Sequence, residues 1–471
     1  MSQGNILLKN TFIYAIGNFG SKILTFLLLP LYSYYLSTSD FGIYDIILTS
    51  VSLLVPVVTM QLSEASYRWL LDAGDDEEVK SIAITNGFTV ILTSAIFYCT
   101  IYVVLSFFID FKLTIYFPII LFISSFVPFF QQVARGLGKK KLYSIAGIIS
   151  AFFVLVFNVC FLILFDLKLI SLLLAMIFSN AIVLGFLIIS TKVFRFFSIG
   201  NLSIHHIKKM LHYSWPLIPN TISWWLINAA DKYIILYVLH TEANGIYGVS
   251  SRFPAIIALV NSIFLMAWQD EGITTKESDY SDKNSFFSRT FHKFITFELT
   301  FVAILICICQ YLVKYFLSVK FYDSWHYIPL LFLGVAYSSF SAYIGVTYQR
   351  AKKTKGIFTT TIIGGLVNIL VSVLFMKYIG LYAPALGTFL SFLIVYMVRK
   401  KETNAFSPVY VDNRNLILLT LWGLVCLGFT SFNILYVNIV FTGISIFIFF
   451  RYNRPLIAIG YKFLKRDKKL S

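Results

Sequence analysis

Six charged residues stand in runs too apolar to solvate a charge: Lys22, Asp45, Asp231, Lys232, Arg252 and Glu298. A lone charge at the centre of a bilayer costs at least about 2.5–3.5 kcal/mol on insertion scales, so each needs a partner, water or a task. The tightest case is "WLINAADKYIILYVLHTEANGIYG" (225–248), where Asp231 and Lys232 are adjacent. Neighbours at i and i+1 on a helix diverge by about 100°, so these two face different surroundings and take partners from other helices. Counted from Glu242 at the presumed turn, Asp231 lies eleven residues before and Arg252 ten after. An antiparallel hairpin would set both about 13 Å below the turn, near the midplane, which predicts an Asp231–Arg252 bridge fixing the hairpin angle. Lys22 lies about 12 residues into the first span, behind "GNFGS", whose glycines let a helix bend or another backbone approach. Lys22 and Lys232 have two readings: point charges facing a cavity that binds an anionic group, or side chains that snorkel or pair with Asp45 or Glu298. Glu298 and Asp45 likewise either serve as counter-ions or exchange H⁺ or Na⁺, as a carboxylate held in the membrane can.

The elements that must hold these charges are long helices. The chain has 471 residues, of which 58% are hydrophobic and 13% charged, with a mean hydropathy of +0.80. A water-soluble domain of this length lacks the polar groups to cover so much apolar surface, so an all-α integral membrane protein is expected. A spanning helix needs roughly 20 mostly apolar residues. Breaking the chain at its polar stretches gives fourteen transmembrane candidates, near 11–36, 42–63, 82–109, 115–134, 142–165, 168–190, 211–239, 245–268, 290–316, 325–349, 356–378, 380–398, 414–432 and 434–451. The first run has no short apolar core followed by a cleavage site, so it reads as a retained helix and not as a signal peptide.

Placing the amino terminus inside puts 30 of the 38 basic residues on the cytoplasmic side and five outside, with Lys22, Lys232 and Arg252 left within spans. Cytoplasmic loops collect Lys and Arg, so both termini are expected in the cytoplasm. The net charge of +16 then needs no nucleic acid, because the anionic inner leaflet suits it, above all at "YKFLKRDKK". The cysteines, Cys99, Cys160, Cys307, Cys309 and Cys426, sit in apolar runs without ligand-like neighbours and read as packing residues. The six histidines stand at or beyond span ends, and neither a metal site nor a cofactor is expected. "WPLIPNTISWW" (215–225) sets Pro216 and Pro219 at a helix start; its tryptophans read either as an interface anchor or as a sugar-stacking platform.

An internal repeat organises the spans. At an offset of 203, "YYLSTSDFGIY" (34–44) aligns with "YVLHTEANGIY" (237–247), six of eleven positions being identical. A weaker echo comes at offset 210, where Asn158 and Asn368 match, each on an apolar helix preceded by a basic loop, "RGLGKKK" or "RAKKTK". Six spans, an even number, separate the copies, so the repeats are parallel and related by an axis along the membrane normal. The expected architecture is two six-helix lobes, 1–200 and 201–403, followed by an extra transmembrane hairpin and basic tail over 404–471. No loop exceeds about 20 residues, which leaves no room for a folded ATPase domain or a large extracytoplasmic catalytic loop.

On "LKNTFIYAIGNFGSKILTFLLLPLYSYYLSTSDFGIY", "RGLGKKKLYS" and "NAADKYIILYVLHTEANGIYGVSSRF" the whole chain resembles the polysaccharide-transporter branch of the multidrug/oligosaccharidyl-lipid/polysaccharide exporter superfamily, in particular the O-antigen and capsule repeat-unit flippases. The resemblance implies a cationic cavity between two lobes that opens alternately to either side of the cytoplasmic (inner) membrane. It implies an undecaprenyl-diphosphate-linked glycan as the partner, without covalent chemistry, and the protein is expected to be a transporter and not an enzyme. In that setting Lys22, Lys232 and Arg252 would hold the diphosphate, and Asp231, Glu298 and Asp45 would serve ion coupling or structural pairing, with the Asp231–Arg252 pair either fixed or loosened during transport. Membrane lipids, H⁺ or Na⁺ and the polysaccharide polymerase machinery are further expected partners of a monomer. The competing readings are a multidrug or cation antiporter and a lipid II flippase of the same superfamily, and, more remotely, a membrane polysaccharide polymerase. The one acid cluster, "DAGDDEE" (72–78), falls on the cytoplasmic side and does not resemble a polymerase site.

Overall fold

The computed structural model describes residues 26–108, 115–274, 286–351, 353, 355–406 and 409–467. Among these the regular structure is helical, without strands. The chain divides into two compact units, Met1–Trp225 and Leu226–Ser471.

The first unit contains α1 (26–35), α2 (Thr38–Val58), α3 (Leu62–Ala73), α4 (Glu77–Ser106), α5 (Tyr116–Gly136), α6 (Lys140–Val159, prolonged by a π turn over Cys160–Leu164), α7 (Leu169–Thr191) and α8 (Ile204–Ser214). α9 (Leu217–Ser250) carries the chain into the second unit, which continues with α10 (Arg252–Thr274), α11 (Phe286–Phe316), α12 (Ile328–Arg350), α13 (Lys355–Ile379), α14 (Tyr382–Thr403), α15 (Asn413–Thr430) and α16 (Leu435–Asp467).

Eleven of these helices are long and apolar enough to cross a membrane, so the protein is an all-helical, multi-pass membrane protein. The figure of fourteen is not confirmed among the described residues. The expected 11–36 span is described only from residue 26, α9 has its apolar run diluted by polar residues, and α10 has its side chains described only in part.

α3 is an element that span counting passes over. Its sequence "LSEASYRWLLDA" is amphipathic and too polar to cross a membrane; it packs beside α5, where Gln132 Nε2 donates to Glu64 Oε1 at 2.6 Å. α4 closes on the same group through Gly87, because a Cβ there would lie 2.4 Å from Ser66 Oγ and 2.9 Å from a Phe129 ring carbon. Only a residue without a side chain permits that approach.

In the second unit an aromatic stack binds α10, α11 and α12. Tyr343 lies 3.9 Å from Trp268 and 4.2 Å from Phe291 between ring centroids, both nearly parallel, and its hydroxyl donates to the Phe287 carbonyl at 2.9 Å. The carboxy-terminal hairpin α15–α16 attaches to the same unit through polar contacts. Tyr337 and Thr420 share a hydrogen bond at 2.7 Å, and Asn453 donates to Thr300 at 3.0 Å.

The aligned turns of the repeat break at matching positions. In the first copy Ser37 is extended (φ −79°, ψ 163°), with its hydroxyl accepting from the Asp40 amide in a capping box. In the second copy the break falls at His240, 203 residues later, with φ 65° and ψ −174°. A left-handed φ on a non-glycine residue is costly, so this corner is held by its surroundings.

Candidate functional site

The second unit contains a cavity of about 330 Å³ whose lining includes Asn228, Asp231 and Lys232 of α9 and Tyr247 and Ser251 beyond the His240 corner. Ser338, Ser339 and Thr388 add hydroxyls from α12 and α14, and alanine, leucine, valine and phenylalanine side chains complete the wall. Two adjacent charges in an apolar helix thus reach one largely apolar recess studded with hydroxyls.

The corner sets the register. The sequence-derived turn at Glu242 gave Asp231 and Arg252 the same depth. With the turn at His240, two residues earlier, the position opposite Asp231 moves by about four residues toward Gly248. Tyr247 Oη accordingly donates to Asp231 Oδ2 at 2.8 Å, and the carboxylate is buried. Lys232 is half-buried on the cavity wall, and Arg252 opens α10, flanked in sequence by the lining residues Ser251 and Pro254.

One turn before Asp231, the Ile227 carbonyl accepts from Asn368 Nδ2 of α13 at 2.7 Å. Asn368 is fully buried, and Gly387 of α14 makes room for it: a Cβ at 387 would sit 2.6 Å from Asn368 Oδ1 and 3.0 Å from its carbonyl oxygen. The asparagine noticed through the repeat therefore has a positioning role in this unit. Its counterpart Asn158 donates to Val154 within its own helix.

Glu298 stands behind the cavity wall. It is 1% exposed and accepts from Asn261 Nδ2 at 2.7 Å, and the same amide donates to Ser339 Oγ at 2.8 Å. A chain of three polar groups thus links a buried carboxylate to a residue that lines the recess. Asp45 is equally buried but belongs to the first unit, on α2. Lys22 lies outside the described residues.

Two arrangements were not foreseen from the sequence. Arg399, expected in a cytoplasmic loop, is 2% exposed within α14. Its guanidinium donates to the Ser341 carbonyl of α12 at 2.9 Å and, on α13, to Thr360 at 3.0 Å, Thr361 at 3.2 Å and the Ile357 carbonyl at 3.4 Å. The second is a pocket of about 420 Å³ in the first unit, lined by Gln61, Gln131, Gln132, Ser63, Glu64 and Tyr143 among others. Pro56 and Pro128, which interrupt the hydrogen bonding of α2 and α5, also line it. Met60 and Gln61, at φ 46° and 55°, bend the chain at its edge. Neither Met60 nor Gln61 is of a type that favours positive φ, so residue identity gave no sign of this bend.

Residues 7–268, more than half of the chain, match the family described as polysaccharide biosynthesis protein. No curated protein matches the chain. Among solved structures the chain is similar to the lipid II flippase MurJ in an inward closed conformation, with a TM-score of 0.67 and 15% identity over 95% of this chain and 100% of that one. It is also similar to an inward-facing multidrug resistance MATE family transporter of the MOP superfamily, with a TM-score of 0.65 and 12% identity over 82% and 95%. The MATE transporter VcmN of Vibrio cholerae follows at 0.56 and 13% identity over 85% and 96%. At these identities the likeness is one of fold. Family match, shared fold and membrane-spanning helices agree: the chain belongs to the polysaccharide biosynthesis protein family.

Proposed function

We propose that the protein flips undecaprenyl-diphosphate-linked oligosaccharide repeat units of a surface polysaccharide across the bacterial cytoplasmic membrane by alternating access, with both termini in the cytoplasm. The observation that carries this reading is the placement of Lys232 and Asp231, from an otherwise apolar helix, on one recess in a chain of the polysaccharide biosynthesis family. Within the recess one acid offsets one base, so a diphosphate needs further cations. Arg252, at the head of α10, and Lys22 are the residues we assign to that task. An ammonium acts as a point charge and a guanidinium as a fork, and the two together suit phosphoryl oxygens. The polyprenyl tail stays in lipid while the head group crosses.

Glu298 is the group we assign to ion coupling, because its partner is the neutral Asn261 amide and its network ends on the recess. Proton or Na⁺ binding there would remove a buried charge whose cost in the membrane is several kcal/mol.

The test is deletion of the gene followed by identification of the lipid-linked intermediate that accumulates. Repeat units retained on the inner face support the reading. Repeat units reaching the outer face at normal rates, with no redundant flippase present, overturn it. A second reading, lipid II transport, is favoured by the fold likeness to MurJ over essentially both chains. Rescue of a strain depleted of its own lipid II flippase would select it.

A further inference from the structure

We infer that the pocket in the first unit is a recognition site for the hydroxyl and acetamido groups of an uncharged saccharide, and that it selects among glycans. This deepens the flippase reading and rests on it. The pocket presents three primary amides, Gln61, Gln131 and Gln132, beside Ser63, Tyr143 and the carboxylate of Glu64. Primary amides and hydroxyls both donate and accept, which matches the alternating donors and acceptors of a sugar ring. Its volume of about 420 Å³ is in the range of small-ligand sites.

The partners of these groups separate scaffold from ligand-facing atoms. Gln61 Nε2 is committed to Thr221 Oγ1 at 2.9 Å, and Gln132 Nε2 to Glu64 Oε1 at 2.6 Å. Ser63 Oγ and Gln132 Oε1 are buried and have no hydrogen-bond partner among the described residues, and Ser63 as a whole is only 6% exposed. A buried polar atom left unmatched costs about 1–3 kcal/mol, and residues of this wall carry two of them, so a polar guest that a side-chain rotation brings into reach would offset that cost. Gln131 also makes no hydrogen bond to another described residue and is open to the pocket. The described lining residues include one acid, already bonded to an amide, and no base, a set that suits a neutral polyol better than a phosphate. Two prolines and a left-handed pair expend local stability to shape this spot, as binding sites commonly do.

Ser63 and Gln131 give clean tests, because removing either side chain breaks no hydrogen bond among the described residues. Full-length protein in nanodiscs is titrated with hexoses, N-acetylhexosamines and 6-deoxyhexoses and read by saturation-transfer NMR. Wild-type protein should show transfer to at least one sugar class. Ser63→Ala and Gln131→Ala should each weaken that binding about fivefold to tenfold, with the melting temperature unchanged. No transfer to any sugar, or equal binding in both variants, overturns the inference. The two readings can fail separately: loss of export on deletion with unaltered sugar binding in the variants sinks only the pocket. Normal export on deletion sinks the flippase reading, while the NMR result still judges the pocket.

Discussion

Tyr247 donates its hydroxyl to the buried carboxylate of Asp231 at 2.8 Å, across a hairpin whose corner is His240. The contact joins two arms of the chain at the cavity wall, and it uses a tyrosine that the repeat preserves as Tyr44 in the first copy. Tyr247→Phe removes the donor and keeps the ring. The expected outcome is a loss of about 1–3 kcal/mol, read as a lower melting temperature in detergent. Exchanging Asp231 and Arg252 tests the second proposed partner: rescue of the assembly defect of either single substitution would establish their pairing, and failure to rescue would assign Asp231 to Tyr247 instead.

Lys232→Ala should leave the amount of folded protein unchanged and reduce export at least tenfold, the loss of about 1.4 kcal/mol of anion binding. Lys22→Ala should do the same if Lys22 shares the diphosphate. Normal surface polysaccharide in both variants would remove the diphosphate clamp from the mechanism.

Glu298→Gln preserves an acceptor for Asn261 and abolishes titration. If Glu298 couples an ion, export in proteoliposomes should lose its dependence on an imposed H⁺ or Na⁺ gradient while melting stays close to wild type. Retained gradient dependence would return Glu298 to a packing role.

Lys139, in the turn before α6, has its ammonium pKa pulled below the ordinary 10.5 by desolvation and then by the nearby Lys192 and Arg195. Between that depressed value and 10.5 the folded protein binds fewer protons at this site than the unfolded chain, so this group makes stability rise with pH across the interval. The melting-temperature difference between wild type and Lys139→Gln should move in favour of wild type as the pH is raised from about 8.5 to about 11. Lys192→Gln should narrow the interval by removing one repelling charge.

Much of the architecture was legible because it is written in long runs. Apolar stretches of twenty residues and a turn motif repeated at offset 203 are collective signals that single substitutions do not erase. The site was legible in part: Asp231 and Lys232 were conspicuous because charge is costly in an apolar helix. Their partners were harder: a corner placed two residues away shifts the opposing register by about four, and the Tyr247 hydroxyl that bonds Asp231 was not foreseen. The pocket of the first unit stayed hidden because glutamine and serine are unremarkable in any one loop or helix, and its walls come from positions as distant as Ser52 and Thr221. Arg399 was hidden by its neighbours Lys400 and Lys401, which made a buried guanidinium look like the start of a basic loop.

That guanidinium acts as a rivet. One side chain of α14 holds acceptors on α12 and α13 at once, so drawing any of the three helices away strands several buried N–H groups together. The three therefore travel as a single plank. Any bending of this unit is therefore expected outside that plank.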